Sequence, residues 1–363
     1  MRGEVSNRGL ERRHGAVEEL EWGLRGSLET RSSDRRVMMS QLSLFDSEPE
    51  DDLPERAAAL APKLRALAEQ GLYFGTSSWK YEGWLGSIYR SDRYETRGRF
   101  SKKKFESECL REYGKIFPIV GGDFSFYQFP SPGYWKTLFD GAPGPLRFGL
   151  KVPEEVTVPR WPNHARYGGR AGTVNQGFLD PGLFKELFAR PLWRYRDRVA
   201  VLMFEFGAIA KSTFARPEAF YERLGLFLDA LPPGFRYAVE IRNPEYLGEE
   251  YFSILRARNT AHLFNAWTRM PELLEQIETP GAFTADFSVA RALLKHGTPY
   301  ARAVESYSPY KAVQEPNPAA RRALQTIAER SRRAAQPAFV FVNNRLEGYA
   351  PGTIEAVADA ITI

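Results

Sequence analysis

The chain has 363 residues, enough for a full hydrophobic core, and its 43% hydrophobic and 26% charged content is that of a globular protein. No run nears the roughly eighteen unbroken apolar residues of a membrane span, and the charged N-terminus lacks the apolar core of a secretory signal. A lone cysteine, Cys109, excludes an intrachain disulfide framework and fits a reducing cytoplasm, while a net charge of +5 permits phosphate-bearing partners without demanding them.

In chain order, residues 1–53 are charge-dense and aromatic-poor, with an acidic run at Asp46–Asp52, and are expected to be a disordered extension. Met38 and Met39 suggest a second translation start, and N-terminal mass spectrometry of the native protein tests that. Residues 54–71 place Leu60, Leu64 and Leu67 on one face and read as a lead-in helix despite Pro62, ending at Gly71. Eight apolar, β-branched or aromatic runs follow: Tyr73–Trp79, Val120–Phe126, Arg147–Val152, Val199–Phe206, Arg236–Arg242, Ala261–Ala266, Phe287–Ala292 and Ala338–Asn343. Several are continuously apolar, as parallel strands covered on both faces should be.

Helical patterns alternate with these runs. Phe220, Leu224, Phe227 and Leu231 form one stripe closed by Pro232, and Asn317 with Pro318 is a capped helix start. Pro132–Phe139 and Pro181–Phe188 are further candidates, and Cys109 sits in a helical pattern as a small packing group. Eight strand–helix units over 72–363 predict an α/β fold, a (β/α)8 TIM-like barrel of roughly 250 residues plus insertions. The alternative is a doubly wound sheet, but "GTSSWKYEG" after the first strand lacks the phosphate-binding glycine spacing.

A barrel gathers its chemistry at the carboxyl ends of its strands. There the sequence offers Thr76, Ser77, Trp79, Tyr81 and Trp84 from the first unit, Asp123 and Tyr127 from the second, and Lys151 from the third. Glu205, then Glu240 with Arg242, then Asn265 with Trp267 and Arg269 come next. Asp286 and Arg291 flank the seventh strand; Asn343, Asn344 and Glu347 follow the eighth.

Three chemistries compete for this set. Glu205 and Glu240 on neighbouring strands could serve as the acid and base of sugar chemistry, with Trp79, Trp84 and Trp267 as stacking walls. A divalent cation held by carboxylates alone is an alternative, since His14, His164, His262 and His296 show no ligand spacing. Lys151, Arg242, Arg269 and Arg291 could instead grip an anion. The same charges could simply pair with one another, Glu240 with Lys151 or Glu205 with Arg242.

The motifs "GTSSWKYEGWLGSIY", "FSFYQFPSP", "FGLKVPEEVT", "YAVEIRNPEYL", "NAWTRMP" and "FVFVNNRLEGYAPGTI", in that order, resemble the domain of unknown function 72, or YecE-like, family. The resemblance covers Leu72 to the C-terminus, implies a TIM-like barrel, and brings no established activity. It singles out Gly75, Gly83, Phe126, Pro153, Pro244 and Gly348 beside the residues named above. The chain departs from the family pattern at Gly121 and Asp123, at Val158, and at Glu205–Phe206, which implies an altered pocket.

Upstream, "QLSLF" resembles the peptide by which bacterial replication and repair proteins dock on the sliding clamp, with Gln41, Leu42, Leu44 and Phe45 as anchors. These readings make the expected ligand a small polar molecule such as a sugar or sugar-phosphate. No cofactor is assigned, and no membrane association is expected. The alternative is a non-enzymatic ligand-binding protein, or a nucleic-acid-associated accessory protein docking on the sliding clamp through Gln41–Phe45, which a wide basic barrel mouth with Arg330–Arg333 alongside would favour.

Overall fold

The computed structural model describes residues 53–362. The expected tail up to Asp52, with Met38, Met39 and the Gln41–Phe45 peptide, lies outside the described residues. The lead-in helix spans Glu55–Glu69, keeps Pro62 inside it, and buries Leu60, Leu64 and Leu67. The chain leaves it through Gly71 at φ +82°, a conformation that favours glycine.

The eight strands of the barrel are β1 Leu72–Thr76, β2 Ile119–Gly122, β3 Arg147–Lys151, β4 Val199–Phe206, β5 Tyr237–Ile241, β6 Ala261–Ala266, β7 Ser288–Ala292 and β8 Ala338–Val342. All pair in parallel in chain order, and β1 closes the barrel by pairing with both β2 and β8. β2 is shorter than its apolar run suggests. The chain turns at Asp123, where the Phe126 amide donates to the Asp123 carbonyl at 3.1 Å. β1 likewise stops at Thr76, whose hydroxyl donates to the Ser78 carbonyl at 2.7 Å.

Helices clothe the outside. Pro217–Asp229 buries Phe220, Leu224 and Phe227 as expected, whereas Leu231 falls beyond its end. The Pro181–Phe188 pattern is a helix with a single wide turn at Lys185–Ala189. Pro318–Arg333 starts as the sequence implies, with the Asn317 side chain accepting the Ala320 amide at 3.0 Å. Asn317→Ala should therefore lower stability by about 1 kcal/mol, seen as a lower urea midpoint. An unchanged midpoint would count against the cap.

The period of two along each strand decides what fills the barrel. Met203 and Val201 of β4, Ala238 of β5, Leu263 of β6, Val289 of β7, and Phe339 and Phe341 of β8 form a separate buried apolar cluster. Phe341 reaches across to β2 and β3. A Cβ at Gly149 would stand 2.3 Å from its ring, and one at Gly121 would stand 3.3 Å from it and 3.2 Å from Ser77 Cα. A side chain at Gly121 would thus be tightly packed against the Phe341 plug, which glycine avoids.

Candidate functional site

One step further along the same inward-facing positions, the interior turns charged. From Met203 the next inward residue is Glu205, from Ala238 it is Glu240, from Leu263 it is Asn265, and from Val289 it is Arg291. Glu205 and Glu240 are direct register partners, as are Asn265 and Arg291. Lys151 closes β3, and Asp123 follows β2. The apolar plug is thus roofed by a charged layer.

The layer is one ion-pair network. Glu205 Oε2 accepts from Arg291 Nη1 at 2.7 Å, Lys151 Nζ at 2.8 Å and Arg242 Nη2 at 2.9 Å. Glu240 Oε1 accepts from Arg242 Nη2 at 2.9 Å and Nε at 3.0 Å, and Glu240 Oε2 pairs with Arg291 Nη1. Asp123 Oδ1 lies 3.4 Å from both Lys151 Nζ and Arg291 Nη2. Three carboxylates meet three cations, so the network is formally neutral. Glu240 and Glu205 are buried, whereas the Asp123 side chain is 45% exposed and is the carboxylate of the set open to a ligand.

Electrostatics separate the roles. Burial is the largest influence on Glu205 and works to raise its pKa. Arg242, Lys151 and Arg291 together overcome it and hold the carboxyl well below the usual range. Burial likewise works to lower the Arg291 pKa, but Glu240, Glu205 and Asp123 drive it up. Glu205 is therefore a fixed negative charge, ill-suited to donate a proton. The Glu205–Glu240 pairing also departs from a glycosidase arrangement. Both carboxylates lie 2.9 Å from Arg242 Nη2, which bounds their separation at about 5.8 Å but puts a guanidinium where a scissile bond would sit.

The remaining expected residues divide by placement. Ser77 and Asn265 are buried at strand ends, and neither Ser77 Oγ nor Asn265 Oδ1 has a protein partner. Asn265 Nδ2 donates to the Ile241 carbonyl at 3.2 Å. Asn343 Oδ1 accepts the Arg345 amide, and Asn344 Oδ1 accepts the Ala350 amide while its Nδ2 has no protein partner. Trp79 is buried, its indole nitrogen unpartnered, with Lys80 Nζ 5.7 Å from its ring. Trp267 has one face covered by the Arg242 guanidinium at 3.8 Å. Tyr127 is an exposed aromatic, overlaid by Arg166 at 4.7 Å.

Other residues of the expected set make contacts within the barrel and its helices. Trp84 is fully buried between Tyr81, Tyr89 and Tyr349, so it cannot stack on a ligand. Burial pushes the Tyr81 hydroxyl up to about 12, and its ring packs on Trp84 and Tyr310. The Thr76 amide donates to the Tyr113 hydroxyl at 3.0 Å, tying β1 to the outer helix. Glu347 is fully buried and accepts from Arg321 Nη2 and the Thr353 hydroxyl, each at 2.7 Å, locking two outer helices together.

Asp286 lies at the amino side of β7, away from the strand ends that carry the network. Arg330–Arg333 end the helix that leads into the amino end of β8, and so lie at the opposite end from the mouth. Arg269 is exposed after β6. His262 is buried beside Tyr251, Phe252 and Phe264, a structural histidine. Among the described residues no group of three or more His, Cys, Asp or Glu is placed to hold a metal ion, and no helix is long and apolar enough to cross a membrane.

Sequence reading missed the wall after β3. Glu154 is buried and accepts from the Tyr167 hydroxyl at 2.8 Å and Arg166 at 3.1 Å. Burial, its largest influence, raises its pKa against the opposing pull of Tyr167 and Arg166. Beyond it, residues 157–163, several between 172 and 178, most of 207–214, and Arg223 line a cleft of 950 Å³ to which none of the six network residues belongs. The available signal was length. Between Thr157 and Pro181 the chain runs more than twenty residues with only short helical turns, and loops of that kind are commonly functional.

No curated protein matches the chain. Two solved structures share the fold: a DUF72 family protein from Thermotoga maritima, with TM-score 0.53, 19% identity, and coverage of 79% of this chain and 98% of that one. The other is a DUF72 family protein from Enterococcus faecalis, with TM-score 0.51, 12% identity, and coverage of 80% and 97%. The family described as "Protein of unknown function DUF72" matches residues 73–363, the whole barrel from its first strand onward. The chain therefore belongs to the DUF72 family.

Proposed function

We propose that the carboxyl-terminal face of the barrel binds a small hydroxyl-rich ligand, of the sugar or sugar-phosphate class, and that Asp123 performs acid/base chemistry on it. The observation that carries this is the pair of buried, unpartnered polar atoms, Ser77 Oγ and Asn265 Oδ1, at strand ends of the face that carries the network. Buried polar groups are normally satisfied, so each calls for a hydrogen-bonding guest. A sugar hydroxyl both donates and accepts, which suits a carbonyl-type acceptor and a hydroxyl together.

The balanced network favours a neutral guest over an anion, because its cations are already matched. Lys151 and Arg242 then stabilise developing charge, Glu205 and Glu240 fix those cations, and Asn343 and Asn344 orient the ligand. Trp79 and Trp267 wall it in. The reading calls for no cofactor.

The test is a thermal-shift and calorimetric screen of the full chain against glucose, ribose and their phosphates. Wild type should be stabilised by at least one of them, and Asp123→Asn should weaken that binding by about ten-fold, roughly one charge-assisted hydrogen bond. Ser77→Ala should weaken it less. A panel that stabilises neither protein, or both equally, would sink the proposal.

A further inference from the structure

The cleft beside the network has a chemistry of its own. We propose that it is an anion subsite for the phosphate of a phosphorylated ligand whose neutral part lies over the charged network; this rests on the functional reading above. The cleft's volume, 950 Å³, is that of a small-molecule site. Its lining includes two cations, Arg160 and Arg223, and no aspartate or glutamate. Arg160 Nη1 donates to the Gly172 carbonyl at 2.7 Å, and Arg223 Nη2 to the Phe178 carbonyl at 3.3 Å. Neither forms an ion pair with a carboxylate among the described residues, so the guanidiniums are oriented by backbone while their charge stays unmatched. The network presents the reverse, cations fully matched by carboxylates.

The walls are pre-shaped. Asn175 is buried, and its Nδ2 donates to the carbonyls of Glu155 and Val158, each at 2.7 Å. Arg160 and Val174 form an antiparallel bridge, with the Trp161 amide donating to the Thr173 carbonyl at 3.0 Å. On the other side the Ile209 amide donates to Asn243 Oδ1 at 2.7 Å, and Asn243 Nδ2 returns a bond to the Ile209 carbonyl at 3.0 Å. The cleft also contains Thr157, fully buried, whose hydroxyl has no protein partner.

Position links the cleft to the network. Gly207 of the cleft is two residues beyond Glu205, and Asn243, which holds the cleft wall, directly follows Arg242. Two residues of chain span at most about 7 Å. The cleft wall therefore begins beside the network, the placement that a ligand with a neutral ring and a phosphate arm requires.

Three probes on the full chain separate the ideas: inorganic phosphate, glucose, and glucose 6-phosphate. Inorganic phosphate should bind wild type with an affinity that falls as salt rises. The double substitution Arg160→Gln with Arg223→Gln should weaken phosphate and glucose 6-phosphate at least ten-fold and leave glucose unchanged. Both side chains are on the surface, so an unchanged melting temperature verifies the fold. Phosphate binding that is absent, or equal in the double variant, overturns the subsite. If glucose binds and its phosphate gains nothing, the subsite fails while the functional reading stands. If phosphate binds through the two arginines and neither sugar responds to Asp123→Asn, the functional reading fails and the anion site remains.

Discussion

Glu240→Gln should destabilise the barrel by about 3–5 kcal/mol, the usual cost of leaving buried charge without its partner. Glu240 is fully buried and receives hydrogen bonds from Arg242 and Arg291. Glutamine keeps the shape but offers one acceptor, and its amide would point hydrogens at a guanidinium. The network would change from three against three to three cations against two carboxylates, with Arg291 still buried. Urea unfolding is the measurement. A midpoint matching wild type would mean that the cations relax into water, contrary to their burial. Replacing the pair together, Glu240→Leu with Arg291→Met, should harm stability less than Glu240→Gln alone, because no unmatched charge remains. Asp123, half exposed at the edge of the network, is the better functional probe, since its loss leaves less charge stranded.

Acidification should weaken the fold well before the carboxylates titrate, through His262. Burial pushes this imidazole down to about 3, and among the described residues only the Tyr251 hydroxyl, 3.4 Å from Nδ1, lies within reach. The folded value is lower than the unfolded one of about 6.5, so below pH 6.5 the unfolded chain takes up a proton that the folded chain refuses. Stability is then complete above pH 6.5 and falls by about 1.4 kcal/mol per pH unit down to about pH 3. By pH 4 the loss is on the order of 3 kcal/mol. Glu205 adds to this below its unfolded value of about 4.3, since its folded value is also depressed and its stabilising charge is lost as pH falls further. Melting curves between pH 7 and 4 should flatten in His262→Phe, whose ring suits the aromatic surroundings. Parallel slopes in the two proteins would assign the acid sensitivity elsewhere.

The barrel was legible because eight apolar runs alternate with helical stripes, and burial on both faces leaves parallel strands little other composition. The polar strand ends were legible for the same reason: an apolar run that stops at Lys151, Glu205 or Glu240 marks where apolar packing gives way to charge. What sequence could not supply was pairing. Arg291 contacts Glu205 and Asp123 across 86 and 168 residues of chain, separations that no local pattern encodes. Glu347 and Trp84 look like site residues in the motif, yet both are fully buried, Glu347 against Arg321 and Trp84 against Tyr349 together with its near neighbours Tyr81 and Tyr89. Asp286 misled because a strand's flanking residue carries no mark of which end it occupies until the strand's bounds are known.

The charge-balanced floor has a consequence for how such a protein can change over time. Its members come from β3, β4, β5 and β7 and the turns after β2 and β5, and no single replacement preserves neutrality except one charge for its like. Change by one substitution at a time would pass through an intermediate with a stranded buried charge. The floor can therefore be remodelled only in compensated pairs, whereas the wall beyond Thr157, whose Arg160 and Arg223 pair with no carboxylate among the described residues, can vary residue by residue. Substitutions in this architecture should accumulate first in the wall and last in the floor.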